Sequence, residues 1–90
     1  MLFFEWDPEK ADSNKKKHGV TFAEAATAFG DPLSITIPDP DHSSGEAWFI
    51  LLGLSFQDRL VVVVHTEVRD SIRIVSARLA TRAELKSYEQ

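Results

Sequence analysis

The sequence predicts a small α+β domain, and three observations carry that prediction. Short apolar stretches, alternating or continuous, recur between residues 33 and 79, as strands require. Helix-start signals stand outside that block, at Asp7-Pro8, Thr21 and Thr81. The length, 90 residues, suits a single domain over residues 1–90. The predicted order is β-α-α-β-β-β-β-α: an antiparallel sheet with two N-terminal helices and one C-terminal helix, the helices on one side.

Leu2 to Trp6, rich in aromatics, is the first strand. Asp7 then caps a helix, and Pro8 takes its first position, where a missing N–H costs nothing. Gly19 ends that helix, with Lys15 to His18 against the negative end of its dipole. Ala11 is its one apolar residue, so the helix is exposed or held by polar contacts. Lys10, Asn14, Lys17 and His18 share a face by their spacing. Thr21 and Glu24 stand as a capping box for a second helix, whose stripe Phe22, Ala25, Ala26 and Phe29 is core. Gly30-Asp31-Pro32 stops it.

Leu33 to Ile37 reads as a strand with Leu33, Ile35 and Ile37 on one face, and Pro38 to Gly45 as a loop. Trp48 to Phe56 is the next strand, turned by Gln57-Asp58. The continuous run Leu60 to Val64 suits a central strand buried on both faces. His65-Thr66-Glu67 then emerges at its end, and Val68 to Ser71 turns. In the last strand Ile72, Ile74 and Ser76 share one face, with Arg73, Val75 and Ala77 on the other. A corner at Ser76-Ala77-Arg78 leads to a helix whose capping box is Thr81 and Glu84.

Composition excludes several classes. There is no cysteine, hence no disulfide scaffold, thiol catalysis or Cys-held metal, and a reducing cytoplasm is the fitting location. The N-terminal stretch has no basic lead with a long apolar run, and LVVVV is too short for a bilayer, so neither a signal peptide nor a membrane partner is expected. A net charge of −4 argues against a general nucleic-acid binder. The charge is uneven, however. Lys15, Lys16 and Lys17 form one basic run, and Arg69, Arg73, Arg78, Arg82 and Lys86 load the C-terminal part. Asp31 to Glu46 holds no Lys or Arg. A basic face on an acidic body follows.

The chemistry-bearing residues form no hydrolase elbow, P-loop or dinucleotide fingerprint. Asp39, Asp41 and His42 are possible ligands for a divalent ion, but their spacing matches no metal motif, and neither metal nor cofactor is expected. What remains is Lys10, Lys17, His18, His65, Glu67, Arg73, Arg78 and Arg82. Arg78 and Arg82 near a strand–helix junction can hold a phosphate, or can pair with carboxylates elsewhere. RNA cleavage without a metal needs a base for the 2′-OH, an acid for the leaving oxygen, and cations for the phosphorane.

The segments FEWDPEKADSNKKKHGVTFAEAATAFGDP, DPDHSSGE and IRIVSARLATRAELKSYE resemble the BrnT toxin family, in matching order from Phe3 to Glu89. The resemblance implies a RelE-like fold and a ribonuclease that arrests translation. It also implies a cognate BrnA-like antitoxin, through which alone DNA would be met, and leaves a role for the ribosome open. It gives Arg78 and Arg82 the scissile phosphate, Lys17 a supporting charge, and His18, His65 or Glu67 the proton. Lys10, Lys15, Arg69, Arg73 and Lys86 would contact RNA. Two positions depart from the family's pattern. Val68 stands where similar members carry Arg after Thr-Glu, with Arg69 one place later. Trp48 stands where they often carry Arg. A catalytically weak or inactive, antitoxin-binding homologue is the alternative these departures raise.

Overall fold

The computed structural model describes residues 2–41 and 46–90. The chain runs β1 (Phe3–Glu5), α1 (Pro8–His18), α2 (Phe22–Thr27), a 3-10 turn (Ala28–Gly30), β2 (Ile35–Pro38), β3 (Trp48–Leu54), β4 (Leu60–Val68), β5 (Ser71–Leu79) and α3 (Arg82–Glu89). The five strands form one sheet in the order β1-β5-β4-β3-β2. β2 through β5 are antiparallel neighbours, but β1 lies parallel to β5, pairing Phe3 with Ser71 and Glu5 with Arg73. The sheet is therefore mixed, not antiparallel. No hairpin ties β1 to its neighbour, so turn geometry does not impose its direction.

β4 is the central strand, and Val61, Val62 and Val63 are buried, as a continuous apolar run requires. The strand does not end at Val64. It continues to Val68, taking in His65 and Thr66, both buried. One face of the sheet carries Leu51, Val61, Val63, Ile74 and Ala77. Val20, Phe22, Ala25 and Ala28 from the α1–α2 side complete this core, with Phe4, Ala11, Ala26 and Phe29 packed at its rim. Gly53 lets the 3-10 turn approach: a Cβ there would sit 2.9 Å from the Ala28 carbonyl oxygen.

Several boundaries differ from the sequence reading. Leu33 is exposed and precedes β2. Ser76-Ala77-Arg78 is strand rather than corner, since β5 runs on to Leu79. The α2 cap is half a box. The Thr21 hydroxyl accepts the Glu24 N–H at 3.0 Å, but the Glu24 carboxylate turns inward to Ser55 and Arg59. At α3 both halves are made: Thr81 Oγ1 accepts the Glu84 N–H at 3.2 Å, and Glu84 Oε1 accepts the Thr81 N–H at 2.8 Å. α3 does not join the other helices. Its Glu84 reaches Arg78 on the opposite face, and the Tyr88 hydroxyl donates to Asp31, which also accepts the Leu54 N–H.

α1 lacks an apolar stripe, and a buried amide anchors it to β5. Asn14 Nδ2 donates to the carbonyls of Val20 (3.0 Å) and Ala77 (2.8 Å), while Oδ1 accepts the Ala77 N–H at 3.1 Å. β1 covers β5 only as far as Arg73. Beyond it the Asn14 carboxamide acts as a one-residue strand, satisfying the edge of β5 at Ala77. Asn14→Ala is expected to destabilise the fold by about 2–4 kcal/mol, because buried backbone groups lose their partners. Asn14→Asp should not restore it, since a carboxylate cannot donate to two carbonyls. Urea midpoints unchanged in either variant would refute this account.

Candidate nucleic-acid interface

The site begins with an extra residue in β5. Val64 pairs with Ser76 but His65 pairs with Ile74, so Val75 is a bulge. Alternation is interrupted there. Ile74 and Ala77 both point into the core, and the expected common face for Ile74 and Ser76 does not hold. Arg73 (opposite Thr66) and Arg78 (opposite Val62) consequently stand on the same face, away from α1 and α2. An unbroken strand would put them on opposite faces.

Each of these arginines meets a carboxylate. Arg73 donates from Nε and Nη2 to Glu5 Oε2 at 3.2 and 3.1 Å. Both side chains are well exposed (45% and 42%), so this pair contributes little to stability. Arg78 makes a two-pronged contact with Glu84, Nη1 to Oε1 and Nη2 to Oε2, both 2.8 Å. Arg78 holds the Glu84 carboxyl at a pKa of about 2, with the Thr81 N–H helping, against a smaller opposing effect of burial. The carboxylate is therefore charged at any physiological pH.

Beside the bulge lies a groove of about 200 Å³ between α1 and β5, lined by Lys10, Ser13, Asn14, Lys17, His18, Val75 and Ser76. The helical spacing read in the sequence thus brings Lys10, Lys17 and His18 to one place. Lys15 is not with them. It lines a separate hollow with Trp6, Asp12 and Phe22.

The other candidates are scattered. His65 is 5% exposed and points into the core, its ring edge-on to Phe29 (centroids 4.8 Å) and stacked near Phe49 (5.9 Å), with Nδ1 3.2 Å from the Val63 carbonyl. It does not reach the arginine face. Glu67 is exposed but pairs in register with Ile72, on the helix-covered side. Arg69 sits in the β4–β5 turn with φ 56°, a left-handed backbone. Arg82 and Lys86 are exposed on α3, and Arg82 has no hydrogen-bond or ion-pair partner among the described residues. Arg82 also borders an apolar hollow of about 290 Å³ with Leu60, Leu79 and Leu85. Among the described residues no His, Asp and Glu cluster is placed to hold a metal ion; His42 lies outside them. No helix among them is long and apolar enough to cross a membrane.

Residues 6–84 match the family model described as the ribonuclease toxin, BrnT, of type II toxin–antitoxin system. The chain belongs to the BrnT family. It is accordingly a ribonuclease toxin of a type II toxin–antitoxin system, and its family implies an antitoxin partner. The fold is similar to the 1.1 Å crystal structure of the Brucella abortus ribonuclease toxin, BrnT. The TM-score is 0.64 at 20% identity, covering 91% of this chain and 99% of that one. No curated protein matches the sequence significantly.

The two departures from the BrnT pattern now have places. Trp48 pairs with Thr66, and Val68 shares the face of Thr66 and Val62, so both lie on the arginine face. Val68 is the last strand residue, and the displaced Arg69 falls in the turn beyond it. A second feature of this BrnT-family chain was hidden from sequence patterns. Arg59 joins the buried Glu24 through Nε (2.9 Å) and Nη2, and Nη2 also donates to the Gly19 carbonyl at 3.0 Å. The Ser55 hydroxyl donates to the same carboxylate at 2.6 Å. Arg59 keeps the Glu24 carboxyl below the usual carboxylate range despite burial, with help from Ser55. The network ties α2 and the end of α1 to the β3–β4 turn.

Burial holds the His65 imidazole below its ordinary pKa of 6.5, against the upward pull of the Val63 carbonyl and the Glu67 charge. The folded value lies below the unfolded one. Its contribution to stability is thus complete above pH 6.5 and lost as pH falls through the folded value. Chemical-denaturation midpoints should therefore drop on acidification below that pH, and less steeply in His65→Phe. Equal acid slopes in the two proteins would count against a neutral core histidine.

Proposed function

We propose that this chain is a metal-independent endoribonuclease of RelE-like fold that arrests translation in the cytoplasm and is silenced by a cognate BrnA-like antitoxin. One observation carries the reading: the bulge at Val75 sets Arg73 and Arg78 on one face of β5, and Val75 and Ser76 of the same strand line the Lys10–Lys17–His18 groove. Arg78 and Arg82 hold the scissile phosphate, and Lys17 adds charge as the phosphorane forms. His18 takes the 2′-OH proton, since it lines the same groove as Lys17, while His65 is buried and Glu67 does not line that groove. Lys10 and Arg73 extend the contact along the strand, and Arg69 and Lys86 meet flanking RNA. Lys15, on another part of α1, serves as a remote charge. The antitoxin covers the arginine face, and DNA is met only through it.

A second reading, an antitoxin-binding homologue of weak activity, is favoured by Trp48 and Val68. They put apolar surface on the very face that carries the arginines.

Induction in a bacterial host without antitoxin separates the two, with RNA 5′ ends mapped in the first minutes. New ends with the wild type, reduced on the order of 100-fold or more in Arg78→Ala/Arg82→Ala, are expected. Cleavage by the purified protein should persist with a chelator present. Intact RNA alongside soluble, folded wild type would move the assignment to the antitoxin-binding reading.

A further inference from the structure

Arg78 has five guanidinium hydrogens, and the structure accounts for how they are used. The end of the fork faces Glu84, Nη1 to Oε1 and Nη2 to Oε2 at 2.8 Å each, with Nη1 also 3.3 Å from the Leu79 carbonyl. The Nε hydrogen and the outer Nη2 hydrogen, which point along the side of the group, have no partner among the described residues. That lateral edge is itself a two-pronged donor suited to a phosphate. Glu84 in turn is anchored, because its Oε1 also accepts the Thr81 N–H at the start of α3. The anchored carboxylate thus fixes the plane of the guanidinium and leaves its lateral edge open. The Glu5–Arg73 pair is different: it uses Nε and Nη2, the lateral edge itself, and both partners are loosely held at the surface.

We infer that Glu84 is a positioning residue for the ribonuclease reaction: it aligns Arg78 end-on so that the free Nε–Nη2 edge receives the scissile phosphate. This rests on the reading of Arg78 as the phosphate-holding residue. It adds that the sequence element which starts α3 also orients the site. A rigid donor pair aimed at developing charge costs no reorganisation during reaction, which is where such alignment acts. Glu84 touches no substrate and moves no proton.

The test uses the purified full chain, a labelled single-stranded RNA for cleavage, and its 2′-O-methyl counterpart for binding without cleavage. Glu84→Gln retains an acceptor for the Thr81 N–H but replaces one charged prong with a donor facing a donor. Its kcat should fall on the order of 10–100-fold while binding of the 2′-O-methyl RNA changes little, the pattern of lost alignment. Thr81→Ala removes the hydroxyl half of the capping box and leaves the Arg78–Glu84 fork. It should lower the melting temperature without lowering kcat, which a merely structural role for Glu84 would not allow. Glu84→Gln with wild-type kcat, while Arg78→Ala is inactive, overturns the positioning role alone. Wild-type cleavage by Arg78→Ala overturns the phosphate assignment, and the positioning role with it. A kcat that follows melting temperature across Glu84→Gln and Thr81→Ala overturns it as well.

Discussion

The bulge at Val75 is the constraint on which the rest of this structure depends. With it, Ala77 returns to the core and offers its peptide edge to Asn14, while Arg78 turns to the outer face. Without it, three consequences reverse together: Ala77 would leave the core, Arg78 would enter it, and the edge that anchors α1 would shift. Burying an unpaired guanidinium would cost far more than the local irregularity of a bulge. One residue therefore couples a core, a helix anchor and a charged face, and these cannot be altered separately.

α1 shows how a helix can be positioned by polarity. It is polar at nearly every position, with Ala11 its one apolar core contact, so area burial contributes little to docking it. The Asn14 amide makes three hydrogen bonds in a buried setting, where leaving each partner unmade would be costly. The direction-dependence of those bonds fixes the rotation of α1 about its own axis. Lys10, Lys17 and His18 are thereby aimed at β5 with an accuracy that a greasy stripe would not provide.

Local chemistry was legible in the sequence, and distant pairing was not. The Thr81–Glu84 box is complete within four residues and was readable as such. The Thr21–Glu24 box looked identical, yet Arg59, 35 residues away, claims the carboxylate. The Leu60–Val64 run identified a buried strand, but its continuation through His65 and Thr66 depends on Phe29, Phe49 and the Ala47 carbonyl, which accepts from Thr66 at 2.8 Å. His65 was a proton-carrier candidate through the family resemblance, and its burial against Phe29 and Phe49 comes from packing between distant segments. The bulge defeated simple alternation, which has no means of counting an inserted residue. The loading of arginines into the C-terminal part was readable, whereas the pairing of Arg73 with Glu5 and of Arg78 with Glu84 required three dimensions. Family resemblance supplied what local rules could not, and the structure then showed that both departures from the family pattern sit on one face.

The parallel pairing of β1 with β5 has a kinetic corollary. Phe3 meets Ser71 and Asn14 meets Ala77, contacts that close loops of well over half the chain. Closing such loops precedes any gain from the contacts themselves, so long-range pairing of this kind slows folding. The β3–β4–β5 meander, built from neighbours in sequence, can form earlier. During synthesis, the N-terminal strand and α1 emerge first, yet β1 has no strand to pair with and Asn14 no Ala77 edge to bind until β5 exists. The assembled arginine face thus comes late, once β5 and Glu84 of α3 have been made and the N-terminal strand has returned to pair with β5.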